Sequence, residues 1–160
     1  TCDETAHNCV GSLTPKKNMS LNFASCDTMM ANDDSIESCD ATSNKLQLVY
    51  KNGITVSGKS NGGMTDKNAA ISWNGTDNDL TVSGLAGGSE VVYVIKEKKA
   101  TVVKVDDGVT NPPHTFDINK DSLADRTDTF NIASTADHIV FTRESGGTGF
   151  KISSITITAP

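Results

Sequence analysis

The chain has 160 residues, the length of one ordinary domain, with 14 Lys plus Arg against 20 Asp plus Glu, a net charge of −6 and a pI near 4.9. Nucleic acid is disfavoured as a partner, because the one dense basic run (Lys96, Lys98, Lys99) is broken by Glu97, and no apolar run approaches the roughly 20 residues needed for membrane insertion. Thr, Ser and Asn number 19, 16 and 13, and Val (12) and Ile (10) outnumber Leu (7); β-branched residues are stiff at χ1 and favour strands, so the composition reads as secreted all-β and argues against a helical bundle or a Rossmann-type enzyme.

Residues 1–44 carry Lys16 and Lys17 against Asp3, Glu4, Asp27, Asp33, Asp34, Glu37 and Asp40, or 2 − 7 = −5, which leaves −1 for residues 45–160. All four cysteines (Cys2, Cys9, Cys26, Cys39) fall in this acidic stretch. An even count without a CxxC pair reads as two disulfides, hence an oxidising compartment, rather than a zinc or thioredoxin site. Of three possible pairings, Cys2–Cys9 with Cys26–Cys39 is preferred because it closes two local loops. Residues 1–18 lack periodicity and are expected to form a disulfide-tied loop. Met19 to Phe23 alternates, with Met19, Leu21 and Phe23 on one face, and predicts a first strand. Residues 24–44 are polar, with one short helix expected around Thr28–Ala31. The chain opens at Thr1 without a charged-then-apolar leader, so a signal peptide is expected to have been removed or to lie outside this stretch.

From Lys45 onward the pattern is strand and turn. Leu46, Leu48 and Tyr50 alternate, Asn52-Gly53 signals a hairpin, and Ile54 and Val56 alternate again. Ser57–Asn68 is a Gly-rich loop, Ala69–Trp73 a short strand, and Asp79–Gly84 a strand with Leu80 and Val82 inward. Ser89–Lys96 is apolar on both faces, which predicts a central strand between two layers, and Ala100–Val105 follows it. Asp106–Arg126, with Pro112 and Pro113, reads as a long connection. Phe130–Ile132 and His138–Thr142 are strands, Ser145–Gly149 is a turn, and Phe150–Thr158 is the last strand, with a bulge expected where its alternation changes phase. About nine to ten short strands with Gly/Asn turns predict a single antiparallel β-sandwich, jelly-roll-like, behind a disulfide-tied N-terminal segment.

Catalytic chemistry has little support in these residues. The histidines are His7, His114 and His138, and no nucleophile elbow, HExxH or phosphate loop is present. His138 beside Asp137 is a weak pair, and acidic doublets such as Asp106-Asp107 read as solvated loop residues. Asp117, Asn119, Asp121, Asp125 and Asp128 fall at positions 1, 3, 5, 9 and 12 of a calcium-loop spacing. Ser122 replaces the turn glycine and Asp128 the longer Glu, so a solvated acidic turn is the alternative to calcium. Sugars stack on aromatic faces while amides and carboxylates bond their hydroxyls. Trp73 with Asn74, Asp77 and Asp79 suits that chemistry, the alternative being a core Trp on the face of Ile71. Tyr50 and Arg143 are lesser candidates, Arg143 through a bidentate bond to a uronate. Asn18-Met-Ser20 and Asn74-Gly-Thr76 are formal glycosylation sequons.

The stretches DLTVSGLAGGSEVVYVI (79–95) and FNIASTADHIVFTRESGGTGFKISSITIT (130–158), with the opening MSLNF, resemble non-catalytic, carbohydrate-binding-module-like β-sandwich domains of secreted bacterial polysaccharide-degrading proteins. The resemblance covers residues 19–160 and leaves the N-terminal cysteines outside its pattern. It implies adjacent first and last strands and a carbohydrate-binding or cell-surface role. The expected protein is therefore a secreted or cell-surface module, attached to other domains of a larger protein, that binds polysaccharide without cleaving it. A structural or adhesive appendage domain is the alternative.

Overall fold

In the computed structural model, residues 17–42, 45–58, 64–66, 70–73, 79–96, 101–118, 125–146 and 150–160 are described, with backbone only at 71–73, 146 and 150. The strands are β1 (Met19–Asn22), β2 (Ile36–Thr42), β3 (Lys45–Tyr50), β4 (Thr55–Gly58), β5 (Ile71–Trp73), β6 (Leu80–Ser83), β7 (Glu90–Lys96), β8 (Thr101–Asp106), β9 (His114–Ile118), β10 (Arg126–Asn131), β11 (His138–Gly146) and β12 (Phe150–Thr158). One helix, α1 (Cys26–Asn32), follows β1.

All pairings are antiparallel. One sheet runs β1–β12–β7–β10, with β5 also on β12, and the other runs β2–β3–β4–β6–β11–β8–β9. The first and last strands are neighbours, Leu21 facing Ile155. Period-two alternation turns one face of each sheet inward. Leu21, Val91, Tyr93, Ile95 and Ile155 of the first sheet share one buried cluster with Leu48, Val56, Val82, Val105, Ile139 and Phe141 of the second. The architecture is an antiparallel β-sandwich. None of the described helices is long and apolar enough to cross a membrane.

Local chemistry accounts for most boundaries. The Ser25 hydroxyl caps α1 by accepting from the Thr28 N–H at 3.3 Å, and Asp33 N–H closes it on the Met29 carbonyl. The Cys26–Cys39 disulfide ties α1 to β2 as expected, whereas Cys2 and Cys9 lie outside the described residues. Gly53 takes φ +89° in the β3–β4 hairpin, a conformation that glycine adopts without steric cost. β12 carries its bulge between Ile152 and Ser154, which lets Ile152, Ile155 and Ile157 all point inward.

Three expectations are corrected. Residues 24–44 hold an edge strand, β2, as well as the helix; its ladder is built by backbone on β3, and its side chains, Glu37 and Asp40 among them, are mostly exposed, so no apolar pattern marks it. The segment Asp106–Arg126 contains β9, paired with β8, in which His114, Phe116 and Ile118 alternate behind the Pro112-Pro113 pair. β7 is central within its sheet, but only its Val91, Tyr93 and Ile95 face is fully buried; Val92 and Val94 are half-buried.

Candidate functional site

The outer face of the seven-stranded sheet carries a shallow groove of about 290 Å³ over β6, β11 and β8. Asp79, Lys104, Asp106, His138, Val140 and Thr142 line it, with Gly108 at one end. Directly paired residues on antiparallel strands share a face. Thr142 faces Lys104 and Val140 faces Asp106 across β11 and β8, while Val140 faces Thr81 and His138 faces Ser83 across β11 and β6. The intervening Val82, Val103, Val105, Ile139 and Phe141 are fully buried, so these polar side chains are turned outward by the same alternation that builds the core. Through Ser57 and Gln47 the Val140 row continues over β4 and β3, making a strip of short hydrogen-bonding side chains across the sheet.

Second contacts orient the groove. His138 Nδ1 lies 2.8 Å from Asp137 Oδ1, and that bond holds the Asp137 carboxyl below the ordinary carboxylate range. An ionised carboxylate only accepts, so Nδ1 carries the proton and Nε2 of the neutral ring is an acceptor. Gly108 sits at φ +74°, and a Cβ there would lie 3.6 Å from His138 Nε2, so that edge of the ring lies over the turn. Asp106 Oδ1 accepts the Gly108 N–H at 2.8 Å.

Asp107 is turned the other way and is fully buried, contrary to its reading as a solvated doublet. Its Oδ1 accepts the N–H groups of Val109 (2.9 Å) and Thr110 (2.6 Å), and its Oδ2 accepts the Thr110 hydroxyl and the Ala133 N–H, both at 2.8 Å. Burial alone pushes this carboxyl up, but the hydrogen bonds to the charged form outweigh it and bring the pKa down to about 2. Asp107 thus pins the turn after β8 to the residues after β10.

Of the residues expected to bind ligand, Asp79 lines the groove and is exposed. The backbone of Trp73 pairs with Phe150 in the other sheet; its side chain, with Asn74 and Asp77, lies outside the described residues. Tyr50 is 1% exposed and belongs to the core, its hydroxyl pKa pushed up by burial and by Asp33, so it offers no ring face to a ligand. Arg143 is half-buried in β11, next to Thr142.

The expected calcium ligands are distributed over two strands. Asp117 is exposed in β9, Asp125 pairs with Lys96 at 3.8 Å, and Asn119 and Asp121 lie outside the described residues. Asp128 Oδ2 accepts the Tyr93 hydroxyl and lies 2.7 Å from His114 Nε2. This bond bridges β10 of one sheet to β9 of the other, beside the tilted ring pair of His114 and Phe130. Among the described residues no three His, Cys, Asp or Glu side chains gather around a point that would hold a metal ion.

The groove's Lys104, Asp106, His138 and Thr142 are not singled out as ligand residues by sequence. Their only signal is a polar side chain at every second position of an apolar strand. A second depression of about 350 Å³ between β1 and α1 is lined by Ser20, Asn22, Phe23, Met29, Asn32 and Asp33. Much of its polar rim is already engaged: the Asn32 amide donates to the Thr28 carbonyl, and Asp33 accepts from Ser35.

No family model and no curated protein matches the sequence. Among solved structures, the fold is similar to BiXyn10A CBM1, with 8% identity, 91% of this chain and 100% of that one covered and a TM-score of 0.48. It is also similar to CsCBM6-3 from Clostridium stercorarium in complex with cellobiose, with 11% identity, 89% and 94% covered and a TM-score of 0.41. The exo-β-1,3-galactanase of Phanerochaete chrysosporium shares 12% identity over 88% of this chain and 29% of its own, at a TM-score of 0.44. At these identities and scores, the ligands of those proteins say nothing of this chain's.

Proposed function

We propose that the protein binds carbohydrate, without cleaving it, on the outer face of its seven-stranded sheet. The observation that carries this reading is the groove itself: carboxylates at Asp79 and Asp106, an ammonium at Lys104 and an oriented imidazole at His138 surround the apolar Val140. Vicinal hydroxyls need alternating donors and acceptors around an apolar patch, and strands hold such groups at fixed spacing. Glycoside hydrolysis brings two carboxyls to within roughly 5–10 Å across one bond. Asp79 and Asp106 are separated by the width of β11, about two strand spacings of ~4.8 Å, and by a further step along the strands, which favours binding over cleavage.

Trp73 with Asn74 and Asp77, which precede Asp79 in the sequence, is the proposed stacking platform for a sugar ring. The Cys26–Cys39 disulfide supports an oxidising, extracellular location, as one module of a larger secreted protein that acts on polysaccharide. Calcium, if taken up by the Asp117–Asp128 segment, is read by a shift in thermal midpoint on adding chelator.

The test is a titration of soluble neutral polysaccharides against the wild type and Asp106→Ala, Lys104→Ala and Trp73→Ala. Binding by the wild type, at least about tenfold weaker in each variant with an unchanged thermal transition, supports the site. Silence across the panel moves the reading to a structural or adhesive surface domain. Release of reducing ends overturns the non-catalytic assignment.

A further inference from the structure

We propose that His138 is a specificity-determining residue of the groove, which makes it accept uncharged, hydroxyl-rich glycans and turn away uronate-bearing ones. The inference rests on the groove being a glycan site. Asp79, on the approach to β6, and Asp106, on β8, place two carboxylates in the lining against one ammonium, Lys104. With the His138 ring neutral, the lining carries −2 + 1 = −1 and its polar atoms are mostly acceptors. The Asp137 carboxylate fixes the tautomer, so Nε2 adds another acceptor above Gly108 rather than a donor. A sugar hydroxyl, which both donates and accepts, can donate to the two carboxylates and to Nε2 and accept from the Lys104 ammonium. A carboxylate-bearing sugar meets three acceptors and one cation.

Outside the lining, the Asp137 carboxylate bonded to the ring adds a negative charge at this end, and Lys17 Nζ donates to the Gly84 carbonyl at 2.6 Å, one residue beyond the Ser83 that faces His138. Histidine is the side chain that changes charge between pH 5 and 8. A doubly protonated ring presents an N–H at Nε2 and adds one positive charge to the lining, beside the Asp137 carboxylate, which lowers the bias against anions. One unit charge about 5 Å away in water changes affinity by about three- to fivefold.

The experiment is calorimetric titration of the whole chain with barley β-glucan, arabinoxylan and galactomannan as neutral probes, and with polygalacturonate and alginate as anionic ones, at pH 8 and pH 5. The expected result is binding of a neutral probe at both pH values. Uronate binding should be at least about fivefold weaker at pH 8 and should rise about three- to fivefold at pH 5, with the rise absent in His138→Gln. Asp137→Asn, which frees the ring, should blunt the same rise, and the thermal midpoint of each variant checks the fold. Equal binding of uronates and neutral glycans at pH 8, or the same pH response in His138→Gln, overturns this inference and leaves the glycan site standing. Binding of no probe at either pH overturns the glycan site and this inference together.

Discussion

Replacing Asp107 by Asn removes a buried charge that four hydrogen-bond donors converge on. The carboxyl is 0% exposed and is held at about 2, against 3.8 for the unstructured group. That depression is worth about 2.5 kcal/mol to the folded state at neutral pH. The amide keeps one acceptor oxygen but turns an NH2 toward the donors at Thr110 or Ala133, leaving buried N–H groups unpaired. The total loss should be about 3 kcal/mol, or about 6–12 °C in thermal midpoint for a chain of this size. Because the folded pKa is depressed, the stabilisation is fully present above 3.8 and disappears as pH falls toward 2. Urea unfolding of wild type and Asp107→Asn at pH 7 and pH 3 reads both effects: the gap between them should narrow by about 1 kcal/mol at pH 3. A gap that is small at pH 7, or equally wide at both pH values, would refute the hydrogen-bond account of this carboxylate.

Three other perturbations follow from particular contacts. The double variant Cys26→Ala/Cys39→Ala opens a loop of sequence separation 13 and should cost about 3 kcal/mol in urea unfolding; an unchanged midpoint would show that the α1–β2 tie constrains nothing. Asp128→Ala leaves the buried Tyr93 hydroxyl without its acceptor and unlinks His114, for a loss of about 2–3 kcal/mol; a loss below about 0.5 kcal/mol would mean that the inter-sheet bridge is idle. A Cβ at Gly58 meets the backbone carbonyl of Asp79 far inside van der Waals contact, so Gly58→Ala should displace Asp79, lower stability by about 1–3 kcal/mol and weaken glycan binding; unchanged binding would detach Asp79 from the site.

Strand identity was legible wherever one face met the core and the other met solvent. Leu46, Leu48 and Tyr50, then Leu80 and Val82, alternate in the sequence and are buried in the fold. The pairing of Cys26 with Cys39 and the bulge in β12 were also legible, because both arise within short stretches of chain. β2 and β9 were not. Edge strands have a neighbour on one side only, so their side chains are less constrained to be apolar, and Pro112-Pro113 masks the alternation that begins at His114. The two charged doublet members illustrate the same limit: Asp106 lines the groove and Asp107 is sealed inside, one position apart on a period of two.

Composition and period-two patterning by themselves determined an all-β chain, the positions of most strands and which residues of each face inward, since these depend on local stereochemistry and on the water-to-core transfer of alternate side chains. Only the tertiary structure decided which outward residues meet. Asp79, Lys104 and His138 are brought together because β6, β11 and β8 are neighbours in one sheet. That adjacency is set by non-local pairing and register. It likewise placed the Tyr50 ring in the core and made Asp128 the acceptor that joins the two sheets.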